Sequence, residues 1–496
     1  MKNKLKILLL IFIYTFSLFI LCACNKTEDT NVSDNTPAEI IDEDDTAEEV
    51  DEIKPDIPDD VNMNGKAFNI MIHQHYDYAP LNVSDISVDE FIGESINDAA
   101  YNRNIKIEEE LGCKINSREW TSQADGLAYL NRLVKAQTNE YDICVMRTIN
   151  FLQAVTSGLL TDIAEVPYVD TDAAWWDTNA INTFSFGDSK YAVCGDFTMG
   201  YYLPVWNVYF NKDLMKDFGI KDNLYSLVKE GKWTFQKMYE IGREVKADLN
   251  SDGIWDVNDR FGITHVIDAP TALLNSFGMR YADIDSEGMP YFTFGEAAIE
   301  RIIHIAELMR DHETFFNTHM RTNNGSAYEA QLFVRNQTMF SLGGIYYYGE
   351  IREMDAEFGI LPYPKYNEEQ KKHNTAVIFD AVPVVTIPTT NYDLENTGIF
   401  MELYAYEGNK TIRPMFYVNL LERKITRDEE SLEMLELIFS NMFIDIGTIY
   451  DFGSIARTLN DRACNGNTQI ASAIESARPR IDRDIEKLID VVTNGD

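Results

Sequence analysis

The sequence predicts an α/β protein of two lobes, each an open sheet flanked by helices, joined by crossing strands and followed by a helical C-terminal region. Three observations carry this. Short apolar runs of strand length alternate with stretches of helical periodicity from residue 68 onward. An aromatic-rich stretch after Phe197 interrupts that alternation before it resumes. The tail from Thr397 reads as mostly helical, with Met434, Leu435, Ile438 and Met442 on one stripe.

Phe68-Asn69-Ile70-Met71-Ile72 follows a turn at Asn64-Gly65 and reads as the first strand. A helix is expected over 89–111, where Ile92, Ile96, Ala100, Ile107 and Leu111 recur at helical spacing and Gly112 supplies the C′ glycine. A second strand is expected over 113–119, a helix through Leu127, Leu130 and Val134, and a buried strand over 141–146. Another helix should run from Asn150 to Gly158. The order β-α-β-α-β predicts parallel strands. In such sheets ligands bind beyond the carboxyl ends of the strands. Those ends carry His73, Gln74 and His75 after the first strand, and Arg147, Thr148 and Asn150 after the third.

Residues 205–210 read as a crossing strand leading into a second lobe that extends to about Phe358, with a helix near 297–311 and a strand over 338–342. Gly343-Gly344 stops that strand ahead of Tyr346-Tyr347-Tyr348. Residues 358–362 and 381–387 read as return strands. The expected division is 62–203 with 359–408 for lobe 1, and 204–358 with 409–496 for lobe 2 and the C-terminal helices. No internal repeat is visible.

Lys2, Lys4 and Lys6 precede an apolar run ending at Leu21-Cys22-Ala23-Cys24. This is the layout of a secretory signal over 1–23, too short for the roughly 20 apolar residues of a span. Residues 24–61 are acidic, proline-bearing and free of aromatics, and read as a disordered tether. The formal charge of −38 argues against nucleic acid as a partner. Cys113, Cys144, Cys194 and Cys464 show neither CxxC nor metal-ligand spacing, and read as buried thiols, one disulfide being permitted outside the cell. There is no GxGxxG opening the first helix, no P-loop, and no GxSxG or HExxH.

Several segments resemble the family 1 extracellular solute-binding proteins. Tyr141-Asp142-Ile143 through Ser157-Gly158-Leu159-Leu160-Thr161-Asp162-Ile163 is similar to that family's strand–helix element. Tyr209-Phe210-Asn211-Lys212-Asp213-Leu214 resembles its passage into the second lobe, and Thr338-Met339-Phe340-Ser341-Leu342-Gly343-Gly344 its glycine-ended strand. Gly93-Glu94-Ser95-Ile96-Asn97-Asp98-Ala99, Trp175-Trp176-Asp177, Gly231-Lys232-Trp233-Thr234 and Arg427-Asp428-Glu429-Glu430-Ser431 look like a long, lipid-anchored subgroup. The resemblance spans about residues 65–453. It implies a type II periplasmic-binding-protein fold, a ligand cleft between lobes, and hinge closure. It also implies a lipobox with Cys24 lipidated, placing the chain on the extracellular face of the cell membrane. The partner would be an ABC permease, and the chain a monomer that is not an enzyme.

A sugar needs convergent hydrogen-bonding groups and aromatic planes. The expected ligand contacts are Gln74, Arg147, Thr148, Asn150, Trp175, Trp176, Asp196, Trp206 and Tyr346. The competing readings are a helix-start charge for Arg147 and core packing for the tryptophans. A calcium loop is expected from Asp248 to Asp259. Side-chain oxygens of Asp248, Asn250, Asp252, Asp256 and Asp259 occupy loop positions 1, 3, 5, 9 and 12, with Gly253 at 6 and the Ile254 carbonyl at 7. The alternative is an Asx-rich turn. His73 and His75 lie on one strand face but lack an evident third metal ligand. Two other functions stay open: an anchored glycoside hydrolase, which needs two carboxylates about 5 to 9.5 Å apart, and an anchored sensory receptor without transport.

Overall fold

The structure, a computed structural model, describes residues 53–73, 85–120, 122–321, 327–352, 354–420 and 429–494. Cys24 and Gln74 lie outside the described residues. Nine strands build the two main sheets: β1 Ala67–His73, β2 Lys114–Trp120, β3 Ile143–Arg147, β4 Trp206–Asn211, β5 Phe261–His265, β6 Phe315–Asn317, β7 Thr338–Gly344, β8 Phe358–Leu361 and β9 Pro383–Thr386. The helices needed below are α1 Ser95–Leu111, α2 Gln123–Lys135, α3 Thr148–Thr156, α4 Ala269–Ser276, α5 Leu394–Glu407, α6 Glu429–Ser440, α7 Ile446–Tyr450 and α8 Ile455–Cys464.

Lobe 1 has the strand order β9-β3-β1-β2, with β1 parallel to β2 and β3 and β9 antiparallel to β3. Alternation decides its two faces. Phe68, Ile70, Ile72, Ile143 and Val145 pack with Phe400 and Tyr404 of α5, whereas Met71, Cys144 and Met146 join Leu127, Leu130, Phe151 and Ala154 of α2 and α3. The first helix begins at Ser95, six residues later than its periodicity suggests. Gly93 has φ +82, and the Asp98 carboxylate accepts the N–H groups of Ile92 (3.0 Å) and Gly93 (3.1 Å), so the preceding chain is a side-chain-bonded turn. The helix ends as expected, at Gly112 in the left-handed region.

Lobe 2 has the order β6-β5-β7-β4-β8, with β5 parallel to β6 and β7, and β4 antiparallel to β7 and β8. Two boundaries differ from expectation. β8 does not return to lobe 1 but pairs with β4, Phe358 opposite Asn211 and Leu361 opposite Val208. The return comes later, where Val377 bridges Val205 and the Ile378 N–H donates to the Pro204 carbonyl at 2.7 Å. At the other boundary, α5 continues through a π-helical turn, Gly408–Ile412, into the helix Arg413–Leu420, and this stretch packs on α1. Residues 409–420 therefore belong with lobe 1, and lobe 2 resumes at α6, which seats on β8.

Candidate functional site

The carboxyl ends of the two sheets meet beside the crossing segments. On the lobe 1 side, β3 ends at Arg147, and its register partner Pro383 opens β9. The Arg147 Nε donates to the Asp380 carbonyl at 3.0 Å, and its guanidinium lies 3.5 Å from the Asp380 carboxylate. Thr148 Oγ1 donates to the Phe379 carbonyl, and two residues on Asn150 Nδ2 donates to the Gln123 carbonyl at 3.1 Å. Of the three expected residues after β3, Arg147 meets the crossing segment, Thr148 is buried and bonded to that segment's backbone, and Asn150 is bonded to α2. Arg147 acts there as the partner of a crossing-segment carboxylate.

On the lobe 2 side, β5 leads to Asp268, at the start of α4. Its Oδ1 accepts from Asn460 Nδ2 at 3.2 Å, and the Asn460 oxygen accepts from Thr271 N (2.9 Å) and Oγ1 (2.8 Å). Burial, and then the charge of Asp380, push the Asp268 carboxyl up to about 6, against the opposing influence of Arg457. Carboxylates from opposite sides of the groove therefore feel one another. Asp380, Asp268, Asn460 and Arg457 were not recognised from the sequence. Asp268-Ala269-Pro270, directly after the apolar β5, was a readable strand-to-helix-start signal.

The segment 442–457 runs along this groove. The buried Asp445 carboxylate anchors it to lobe 2, accepting from Tyr281 N (2.9 Å), Asn275 Nδ2 (3.0 Å) and Gly447 N (2.9 Å). Beyond it α7 packs on α3 of lobe 1, and the Tyr450 ring lies 5.9 Å from that of Phe186. The chain then bends through Asp451 (φ +43), Gly453 (φ +62) and Ser454 (φ +56) into α8, which carries Arg457 and Asn460. Two non-glycine residues in the left-handed region within four positions store strain of the kind found at ligand clamps. At the other end of the segment is a cavity of about 330 Å³ shared by the lobes, with Asp177, Asn179 and Asn182 on one side and Arg280, Asp283 and Phe443 on the other. The Arg280 guanidinium sits 4.4 Å over the Phe443 ring and 3.0 Å from Asp283 Oδ1.

The remaining expected contacts lie elsewhere. Trp175 and Trp176 are 4 % and 6 % exposed, and both indole N–H groups donate to the buried Glu402 carboxylate at 2.9 Å. Their rings belong to the lobe 1 core. Burial pushes Glu402 up to about 7 despite these two bonds. Trp206 is buried at the start of β4 with its ring edge-on to Tyr363. Asp196 is buried among Tyr202, Asn409 and Arg413. Tyr346 does stand at the crossing, its N–H donating to the Leu203 carbonyl at 3.2 Å, but its ring lies against Gly344 and Tyr347. Cys113, Cys144, Cys194 and Cys464 are free and buried. His73 is buried too, 3.5 Å from the Cys144 sulfur and held down to about 4 by burial.

The Asp248–Asp259 loop is closed by its own hydrogen bonds. Asp248 accepts from Ser251 N (2.7 Å) and Gly253 N (2.9 Å), Asp252 from Ile254 N (2.7 Å), Asp256 from Asn258 N (2.8 Å), and Asp259 from Leu249 N (3.0 Å) and Asp256 N (2.9 Å). Among the described residues no group of three or more His, Cys, Asp or Glu side chains is arranged to hold a metal ion. None of the described helices is long and apolar enough to cross a membrane.

No family model and no curated protein matches the chain. Solved structures do. An ABC substrate-binding protein from Listeria monocytogenes, in complex with cycloalternan, is similar at 12 % identity over 85 % of this chain and 99 % of its own, with a TM-score of 0.56. A family 1 extracellular solute-binding protein from Bifidobacterium longum subsp. infantis shares 15 % identity over 84 % and 99 %, TM-score 0.54. The maltose/maltodextrin-binding domain MalE from Bdellovibrio bacteriovorus, bound to maltotriose, shares 14 % over 85 % and 100 %, TM-score 0.54. The fold is the two-lobed fold of the extracellular solute-binding proteins, α/β with open sheets flanked by helices.

Proposed function

We propose that this chain is the extracellular, lipid-anchored substrate-binding component of an ABC importer, and that it holds a carbohydrate between its lobes without altering it. The observation that carries the reading is a pair of polar clusters beyond the strand ends of the two sheets, Arg147 with Asp380 and Asp268 with Asn460, with the Asp380 charge acting on Asp268. Carboxylates, a guanidinium and an amide offer the directional acceptors and donors that a hydroxyl rim needs. Sugars bound to proteins of this fold support the carbohydrate class. The lipid anchor rests on the Cys24 lipobox and the permease partner on the family resemblance.

A thermal-shift screen of the full chain against a sugar library is the test. A ligand that binds the folded chain raises Tm by mass action; a library spanning mono- to oligosaccharides that produces no shift overturns the carbohydrate reading. One observation favours a hydrolase: a carboxyl pushed up to about 6 facing a second carboxylate. Asp380 is paired with Arg147 and Asp268 with Asn460, which favours binding over proton transfer. Shorter glycans released on incubation with the hit would reverse that choice. We also propose, on the residue pattern alone, that the Asp248–Asp259 loop takes Ca²⁺ by drawing its side-chain oxygens inward.

A further inference from the structure

Asp196 is a buried carboxylate of lobe 1. It is 4 % exposed, and its carboxylate is held from two elements of lobe 1. One carboxylate oxygen accepts from the Tyr202 hydroxyl at 2.6 Å. The other accepts from Asn409 Nδ2 at 2.8 Å and lies 3.3 Å from Arg413 Nη1. Asn409 lies within, and Arg413 follows, the π-helical turn that interrupts the long helical stretch of lobe 1. Such turns concentrate at functional sites. Here the turn lets the backbone come unusually close: a Cβ on Gly408 would sit 2.0 Å from the Asp196 carbonyl oxygen.

Tyr202 immediately precedes the first crossing, where the Leu203, Pro204 and Val205 carbonyls accept from Tyr346, Ile378 and Ile345. Its ring stacks on Phe416 at 6.0 Å and meets Phe439 edge-on at 5.4 Å, while Tyr417 meets Phe439 at 5.5 Å. Phe439 belongs to the other lobe. Its helix α6 seats on β8 and is tied to lobe 2 by Tyr225 Oη–Ser431 Oγ (2.7 Å) and Lys229–Glu433 (2.7 Å). A lobe 2 ring is thus socketed between three lobe 1 rings, and the buried carboxylate fixes the socket from behind. Aromatic pairs of this kind are favourable over ring separations of about 4.5–7 Å, so the joint tolerates a change of angle without losing contact.

We infer that Asp196 is a positioning residue of lobe closure, holding Tyr202 and Arg413 as the socket in which Phe439 pivots. The inference deepens the receptor reading, because a pivot has a use only if the lobes turn on one another. In the absence of the joint the crossing segments and the packing of α7 on α3 set the inter-lobe angle, and the two sheets keep their own stability.

The test needs no ligand, so it can fail independently of the sugar screen. Nitroxides carried on non-canonical residues at Tyr392 (lobe 1, 70 % exposed) and Tyr291 (lobe 2, 47 % exposed) report the inter-lobe separation of the full chain by double electron–electron resonance. Asp196→Asn and Phe439→Leu should each shift the separation to longer values and broaden it, while hydrogen exchange in β1 and β5 stays at the wild-type level. Either variant, once folded, keeping the wild-type distribution overturns the inference. So does a change that appears only together with lost protection across Leu394–Glu407, since that marks a structural role in lobe 1. Phe439→Leu keeps an apolar side chain at the joint, so it decides the matter if Asp196→Asn does not fold.

Discussion

The interior of lobe 1 and the groove between the lobes use opposite chemistries. In the interior, Trp175 and Trp176 donate to one buried carboxylate, Tyr404 packs between Phe400 and Phe197, and the Arg103 guanidinium lies 3.9 Å over the Tyr404 ring. In the groove, the walls are carboxylates, arginines and amides from both lobes, and the Phe443 ring under Arg280 lies in the cavity at the far end of the 442–457 segment. The high aromatic content of this chain builds its lobes, and its polar pairs build the site. A sugar-stacking function for a tryptophan cannot be inferred from abundance alone.

The largest expected effect tests the interior. Trp175→Ala should lower unfolding free energy by about 3–5 kcal/mol, because it opens a cavity and strips one donor from Glu402; urea denaturation measures it. An unchanged transition would put the ring at a surface and erase the contrast between the two regions.

The groove should respond in the reverse manner. Asp268→Asn keeps the shape and the Asn460 contact while removing a charged acceptor. Affinity for the sugar identified by the screen should fall about tenfold or more, with Tm not lowered. Calorimetric titration finding equal affinity would move the site away from the strand ends.

Smaller effects follow from titration. In the unfolded chain Glu402 loses its proton near 4.5, and in the fold only near 7. Its contribution to stability is therefore complete below pH 4.5 and lost as pH rises through 7. His73 and His373, held down to about 4 by burial, act oppositely, removing stability as pH falls from 6.5 through 4. From pH 6.5 to about 8 the two effects oppose one another, so the quantity to follow is the stability difference between wild type and Glu402→Gln, which should move by ~1 kcal/mol against the wild type as pH rises. A difference that stays flat, or moves in favour of the wild type, would contradict the buried-carboxyl account. The smallest effect expected is at the Asp248–Asp259 loop. Adding Ca²⁺ to chelator-treated protein should raise Tm by a few degrees; no heat of binding and no shift would leave the loop an Asx-rich turn.

Much of the fold was legible because its signals are local. The apolar runs of β1, β3 and β7, the C′ glycine at Gly112 and the residues after β3 could each be read within a few positions. β8 was placed in the wrong lobe because Phe358–Leu361 is a continuous apolar run, and such a run states burial without naming its partner strand. Likewise, nothing near Trp175 or Asp196 announces Glu402 or Arg413, which lie more than 200 positions away in the chain. The groove was half legible: Arg147 follows an obvious strand, whereas Asp380, Asp268 and Arg457 converge only through the crossings and the bend at Asp451–Ser454.

One experiment bears on the central proposal more directly than any other. Small-angle X-ray scattering of the full chain should be recorded without ligand and at saturation with the sugar giving the largest Tm shift. A ligand gripped by Asp268 on one lobe and Asp380 on the other should draw the halves together and reduce the radius of gyration. Saturation that leaves the radius of gyration unchanged would mean that a single lobe holds the ligand, and would contradict the account.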